Sequence, residues 1–159
     1  MAYIYPAPGS AGDVVLTITT NSGTDSTGLV VPALQDVTVN AANDVFTWTQ
    51  LDSGSKLQIA TTATNSLSMN LVLEQDTFFG TTVVGEDAQT AGIFGLSSDK
   101  TKIDFELYLG DTSDDQSGSS GKTISGSGYI TGLAPTVSAD SPVWVSPITI
   151  TVDGDYTVA

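Results

Sequence analysis

Hydrophobic and polar residues alternate strictly in two stretches of the chain. One is residues 66–74, SLSMNLVLE, and the other is residues 101–109, TKIDFELYL. Because successive side chains of a β-strand point to opposite faces, this period of two predicts two strands that each bury one face. The apolar positions of the two strands are predicted core residues: Leu67, Met69, Leu71, Leu73, Ile103, Phe105, Leu107 and Leu109.

Other strands are predicted where β-branched residues lie between turn-forming residues. They fall in residues 13–20, in residues 28–44 with a break at Pro32, in residues 44–51 and in residues 122–133. A turn at DSGS returns the chain from residues 44–51 into the segment KLQIATTAT.

The last predicted strand lies in residues 138–154, SADSPVWVSPITITVDG, and ends with Ile148, Ile150 and Val152 in alternation. Proline has no amide hydrogen for a sheet ladder. Pro142 and Pro147 therefore predict that this segment lies at a sheet edge, a strand start or a bulge.

One segment has a helical pattern. Residues 85–100, GEDAQTAGIFGLSSDK, place apolar residues at roughly helical spacing between leading acids and a trailing lysine, which predicts one short helix ending near Ser97. The glycine-rich residues 111–120 do not match the spacing of an EF-hand calcium loop and are interpreted as a solvated loop. The predicted fold is a single, mostly β domain over residues 1–159: an antiparallel β-sandwich or half-barrel with one short α-helix.

The composition argues against most catalytic chemistry. The 159-residue chain contains no histidine or cysteine, and its basic residues are the four lysines at positions 56, 100, 102 and 122. The usual base of a serine triad, a cysteine nucleophile and an arginine clamp are therefore absent. The three glutamates, Glu74, Glu86 and Glu106, show no pairing in sequence that a glycosidase would need. We expect a protein that is not an enzyme and that uses no cofactor or metal.

The charge restricts the partners. Eighteen carboxylates against four lysines give a formal net charge of −14, and phosphate contacts come chiefly from lysine and arginine, so ordinary nucleic-acid binding is not expected. No apolar run approaches the roughly 18 residues of a membrane span, so no membrane association is expected either. Four large aromatic residues outside the alternating faces are candidates for a subunit interface, with core packing as the alternative: Trp48, Phe78, Phe79 and Trp144.

The order of elements from about Leu67 onward resembles the tail tube proteins of long-tailed bacteriophages. The segments LSMNLVLEQD, EDAQTAGIFGLSS, TKIDFELYLGD, GSGYITGLAPTVSAD and VWVSPITITVDGDYTV follow one another as strand, helix and strands do in that family. The resemblance covers roughly the last 90 residues of the chain.

The resemblance implies a structural subunit that forms hexameric rings, which stack into a tube in the virion tail. It also implies tail terminator, tape measure or baseplate proteins as partners, and viral DNA that passes through the lumen without specific binding. Carboxylates on the lumen wall would repel phosphate, and the candidate lumen residues are Asp52, Asp104 and Glu106. The alternatives are a capsid decoration or cement protein, or another virion surface domain, and an acidic adhesion or carbohydrate-binding module that uses surface aromatics such as Trp48 or Tyr129.

Overall fold

The computed structural model describes residues 14–20, 27–31, 34–52, 54–82, 87–110 and 122–159. These residues form a mostly β fold, as predicted. The strands are β1 (Val15–Thr20), β2 (Leu29–Val31), β3 (Leu34–Trp48), β4 (Leu57–Val72), β5 (Ile103–Tyr108), β6 (Thr123–Leu133), β7 (Thr136–Ser138), β8 (Ser141–Val152) and β9 (Thr157–Val158), and the helices are α1 (Gln75–Phe79) and α2 (Asp87–Ser98).

All nine of these strands belong to one antiparallel sheet. Its main order is β2-β1-β5-β6-β8-β4-β3, with β7 paired to β8 and β9 paired to β6. β2 and β3 are the two ends of the main order, so among the described strands each of them is an edge with a neighbour on one side only. The predicted loop at residues 111–120 lies outside the described residues.

The strict alternation found in the sequence builds one continuous apolar face. Directly opposed residues of an antiparallel pair lie on the same face of the sheet, and Leu67 is opposite Ile150, which is opposite Ile130. Farther along the sheet, Phe105 is opposite Ile18. The predicted residues Leu67, Met69, Leu71, Ile103, Phe105, Leu107, Ile148, Ile150 and Val152 are all buried in one core cluster, and Leu73 and Leu109 pack partly buried against it.

Two helices, rather than the single helix expected, pack on the apolar face. α2 occupies the predicted position, whereas α1 was not predicted because five residues are too few for a periodic pattern. The Glu74 carboxylate caps α1 by accepting hydrogen bonds from the Thr77 amide at 2.9 Å and the Thr77 hydroxyl at 2.8 Å. The hydrogen bond from the Thr77 amide has the larger effect and that from the Thr77 hydroxyl the smaller, and both lower the pKa of Glu74 from its usual value.

Two glycines allow α1 and α2 to touch through their backbones. Gly80 ends α1 with φ 91°, and Gly92 interrupts α2 with φ 67°. A Cβ atom on Gly92 would lie 2.4 Å from the Gly80 nitrogen, and a Cβ atom on Gly80 would lie 2.1 Å from the Thr90 carbonyl oxygen. Only residues without a side chain permit this contact.

Tyr156 connects strands that are not neighbours in the sheet. Its ring lies 6.4 Å from the Phe105 ring on β5, and its hydroxyl oxygen lies 2.7 and 2.8 Å from the Asn40 and Ser66 carbonyl oxygens on β3 and β4, which share its single hydrogen. β6 and β8 lie between β5 and β4 in the sheet order. Tyr156 therefore ties together strands from both halves of the sheet.

The proline-containing final strand is central, which corrects the expectation of a sheet edge. β8 lies between β6 and β4. The Leu73 amide donates to the Trp144 carbonyl of β8 at 2.9 Å, so even-numbered β8 residues bond toward β4 and Pro147 faces the other side. On that side of β8, Pro147 lies beside the gap between the end of β6 at Leu133 and the start of β7. The sheet therefore tolerates the missing amide hydrogen of Pro147.

A second correction concerns the amino-terminal half. Residues 34–48 form one strand of 15 residues, β3, where two shorter strands were expected, with a register shift between Asn43 and Val45. β3 pairs along its length with the 16-residue β4. The hairpin is therefore longer than the sheet that supports it.

The close approach of Gly92 and Gly80 predicts a large effect of one methyl group. An unfavourable backbone conformation alone costs about 1–3 kcal/mol. We expect Gly92→Ala to lower the free energy of unfolding by more than this, because the new Cβ also meets backbone atoms. Gly54→Ala is the control, since nothing lies within 4 Å of its Cβ position. Denaturant unfolding measures both variants, and equal stability of the two would contradict the described packing.

The position of Tyr156 between two parts of the sheet predicts a role for its hydroxyl. Tyr156→Phe removes the one hydrogen that the Asn40 and Ser66 carbonyls share and should lower the unfolding free energy by about 0.5–1.5 kcal/mol. The matched control is Tyr129→Phe on the exposed face, where we expect a change within about 0.5 kcal/mol. A neutral Tyr156→Phe variant in thermal or denaturant unfolding would show that this contact does not stabilise the fold.

Candidate functional site

The face of the sheet opposite the core is a broad polar surface, here called the polar face. Its rows follow from the strand register: Thr17, Glu106 and Ser125 are opposed across β1, β5 and β6, and Tyr129, Thr151, Ser66 and Asn40 are opposed across β6, β8, β4 and β3. Hydroxyl and amide side chains predominate on it. The same alternation that buries one set of side chains thus exposes the other.

Three acids lie on the polar face within the strands. Asp36 on β3 accepts two hydrogen bonds from the Asn70 amide nitrogen on β4, at 3.0 and 2.9 Å. Asp104 on β5 accepts a hydrogen bond from the Ser127 hydroxyl on β6, and Glu106 is exposed on β5. Two of the three predicted lumen residues, Asp104 and Glu106, therefore share this face.

The third predicted lumen residue lies elsewhere. Asp52 is exposed in the turn between β3 and β4, at the far end of the hairpin from Asp36. The acid that sequence reasoning did not select, Asp36, lies on the polar face. Asp36 is placed on this face by its pairing with Asn70, and the pairing of two strands cannot be read from the sequence alone.

All four lysines lie outside the strands. Lys56 precedes β4, Lys100 and Lys102 lie between α2 and β5, and Lys122 precedes β6. Lys102 pairs with Asp153 at 2.8 Å, and this hydrogen bond raises the pKa of Lys102 and lowers that of Asp153. Both groups are solvent-exposed, so the pair contributes little to stability. The described strands of the polar face thus carry no lysine, but Lys102, just before β5, lies close enough to Asp104 and Tyr129 of this face for both to contribute to its raised pKa.

The distal part of the β3–β4 hairpin projects from the sheet, and we call residues 41–64 the arm. β4 contacts β8 only over residues 66–72, so the described arm has no strand beside its own hairpin. The Phe46 and Trp48 rings stack at 5.9 Å, and these residues are opposite Ile59 and Leu57. We call these four residues the arm patch. Phe46 and Ile59 are 59% and 56% exposed.

The helices present a second group of aromatic residues. Phe78, Phe79 and Phe94 contact one another, with ring centroids 4.9 to 6.0 Å apart. Phe78 is 1% exposed and belongs to the core, whereas Phe79 and Phe94 are 64% and 49% exposed. We call these two exposed residues the helix patch.

The four aromatic residues predicted for a subunit interface therefore lie in different parts of the structure. Trp48 is on the arm, Phe79 is on the helix patch and Phe78 is in the core. Trp144 is 53% exposed at the start of β8. The sequence of the arm predicts strands, because residues 41–64 are rich in strand-forming residues. These residues lack the alternation of apolar and polar positions that marks one buried face, which is the feature that distinguishes the arm.

The described residues contain no group of three or more His, Cys, Asp or Glu side chains placed to hold a metal ion. None of the described helices is long and apolar enough to cross a membrane.

The exposure of Glu106 predicts that this acid is not required for folding. We expect Glu106→Gln to change the unfolding free energy by no more than about 0.5 kcal/mol, as for surface substitutions away from special contacts. Thermal unfolding at neutral pH measures the effect. A loss of several kcal/mol would mean that the carboxylate belongs to a structural contact rather than to an open surface.

No protein-family model matches the chain, and no curated protein matches it. Solved structures do match it over most of its length. The SPP1 tail tube gives a TM-score of 0.63 with 11% identity, covering 94% of this chain and 77% of that one.

Two further structures extend this likeness. The tail of the empty gene transfer agent particle, with C6 symmetry, gives a TM-score of 0.60 with 11% identity, covering 91% of this chain and 95% of that one. A chain of the anti-feeding prophage baseplate, six-fold symmetrised, gives 0.63 with 11% identity, covering 98% and 97%. At these identities the likeness is one of fold. The chain has the fold of tail tube proteins, which confirms the fold that the resemblance implied.

Proposed function

We propose that the chain is the structural subunit of a phage tail tube, in which six copies form a ring and rings stack around a lumen through which DNA leaves the virion. The observation that carries this proposal is the polar face: a wide sheet surface of hydroxyls, amides and three acids with no lysine in its strands. The tail-tube fold supports the same function. The tail terminator, tape measure and baseplate proteins of the virion are its proposed partners.

The two free edges of the sheet support assembly into a closed ring. An exposed edge strand presents unpaired backbone groups, and single-chain proteins usually protect it with lysine, proline or a distortion. β3 is a long edge strand of 15 residues that contains neither lysine nor proline, and between its two register shifts residues 36–43 pair regularly with β4. A ring in which each edge meets the next subunit satisfies every edge.

The polar face is suited to a conduit because the described strands that form it carry acids and no lysine. Duplex DNA binds proteins largely through phosphate contacts from cations, with release of counterions. Asp36, Asp104 and Glu106 repel phosphate, and the neighbouring hydroxyls carry no charge. DNA would therefore slide past this wall without adhering to it.

Electron microscopy and native mass spectrometry of the purified protein test the assembly. We expect hollow rings of six copies, or tubes built from them. A protein that remains monomeric at high concentration, or that binds only to a capsid lattice, would contradict the proposal and favour a decoration protein.

The proposed DNA conduit predicts that lysines introduced on the polar face will bind DNA. Assembled tubes of the unmodified protein should have no measurable affinity for duplex DNA even at low salt, where attraction between exposed charges is least screened. Asp36→Lys or Glu106→Lys should create binding that falls steeply with salt, because each neutralised phosphate contributes a log–log slope of about −0.9.

The matched control is Asp99→Lys, which makes the same change of charge at an exposed position after α2. We expect little retention of DNA by this variant, measured as DNA that remains in tubes after ejection. Tight, salt-sensitive binding of DNA by the unmodified protein would contradict the proposed conduit, as would equal retention by all three variants.

A further inference from the structure

The arm and β6 both continue past the point where β8 ends. The last residue of β8, Val152, is opposite Gly128 of β6, and its neighbour Thr151 is opposite Ser66 of β4. Beyond this point β6 still has residues 123–127, and β4 runs on into the arm. Among the described residues, no strand pairs with both of these continuations. A sheet ladder therefore does not set the direction of the arm relative to β6.

The segment that follows β8 lies against β6, and we call residues 153–159 the strap. The Asp153 amide donates a hydrogen bond to the Ser127 carbonyl at 2.7 Å. Farther along, β9 pairs with β6, and Ala159 and Thr123 exchange two backbone hydrogen bonds of 3.0 Å each. The strap is thus fastened to β6 at both of its ends.

The middle of the strap holds the root of the arm. The Asn65 side-chain nitrogen donates to the Gly154 carbonyl at 2.8 Å, and Asn65 is 5% exposed at the position of β4 next to the arm. The Tyr156 hydroxyl oxygen lies 2.7 and 2.8 Å from the carbonyl oxygens of Asn40 and Ser66, which are opposed residues of β3 and β4. The strap therefore contacts both strands of the hairpin where the arm leaves the sheet.

The strap can open without unfolding the core. Six of its seven residues are exposed, Tyr156 is partly buried, and β9 has only two residues. Short exposed segments with few buried contacts open locally at a small part of the free energy of global unfolding. Gly154 has φ 104° and nothing within 4 Å of its Cβ position, so a substitution there strains the strap without a clash against the sheet.

We propose that the strap is a conformational device that fixes the direction of the arm, and that opening the strap lets the arm swing relative to β6 while the core stays folded. β3 is both a strand of the arm and an edge of the sheet. In the proposed ring, a closed strap would hold this edge in the direction that the next subunit meets. This consequence rests on the proposed function, whereas the swing is a property of a single copy.

Distances between paired spin labels test the swing in the monomer, because the chain contains no cysteine of its own and labels attach only at introduced ones. Glu106→Cys with Gln58→Cys measures the arm against β5. Glu106→Cys with Thr38→Cys measures β3 against β5 before the arm begins, and all three positions are exposed. With the strap intact, we expect one narrow distance distribution for each pair.

Two variants open the strap in different ways. Asn65→Ala removes the side chain that holds the Gly154 carbonyl, and Gly154→Ala strains the strap itself. In each variant we expect the arm distribution to become about twofold wider, because the strap opens locally, and the Thr38 distribution to stay unchanged.

The matched control is Asn40→Ala at the same root of the arm. It removes an amide that donates to the Ser68 hydroxyl at 3.3 Å on the polar face, and it keeps the backbone carbonyl beside Tyr156. We expect both distributions to stay narrow in this variant. Equal widening of the arm distribution in Asn40→Ala would contradict a role specific to the strap.

The outcomes separate this inference from the proposed function. Arm distances that stay narrow in both strap variants would overturn the strap, as would widening of the Thr38 pair to the same extent. If Asn65→Ala does not fold, Gly154→Ala alone decides, since it alters an exposed residue. If the strap variants widen the arm distances but the unmodified protein forms neither rings nor tubes, the strap stands and the tail-tube proposal fails.

Discussion

The strict separation of apolar and polar side chains across one sheet is the constraint on which the rest of the structure depends. Each strand contributes its alternate residues to the core cluster, and the register brings those residues into line from β2 to β3. The helices cover the apolar side, and Tyr156 links distant strands on it. The other side is thereby left as a polar wall, so the property proposed for function is the other half of the pattern that folds the chain.

The same sheet explains why a single copy is incomplete. A nine-stranded sheet that does not close has two edges, and β3 extends its edge well beyond the core. The arm also exposes Phe46 and Ile59, and neighbouring exposed apolar side chains of this kind are typical of an interaction surface. The proposed ring, in which each edge meets another subunit, would satisfy these edges.

Sequence patterns predicted those elements whose side chains are sorted by burial. The strands around Leu71 and Phe105 alternate because one face is in the core, and both were found as predicted. The strand at residues 44–51 and the turn after it were predicted, but not their continuation into the long strands β3 and β4, because both faces of the arm are exposed and no period of two marks its length. α1 is too short for a helical period, and the central position of β8 depends on the gap between β6 and β7 beside Pro147. Asp36 joins the polar face through register, a property of paired strands rather than of one.

The accessibility of the polar face in assembled tubes tests the central claim most directly. Thr151→Cys places a thiol on this face, and Ser98→Cys places one at the end of α2, both at exposed positions. Before assembly, both thiols should react with a small maleimide and with a maleimide carrying a large polymer. In assembled tubes, we predict that Thr151→Cys still reacts with the small reagent but is protected from the large one, while Ser98→Cys reacts with both. Equal reaction of Thr151→Cys with the large reagent before and after assembly would contradict a polar face that lines an enclosed lumen.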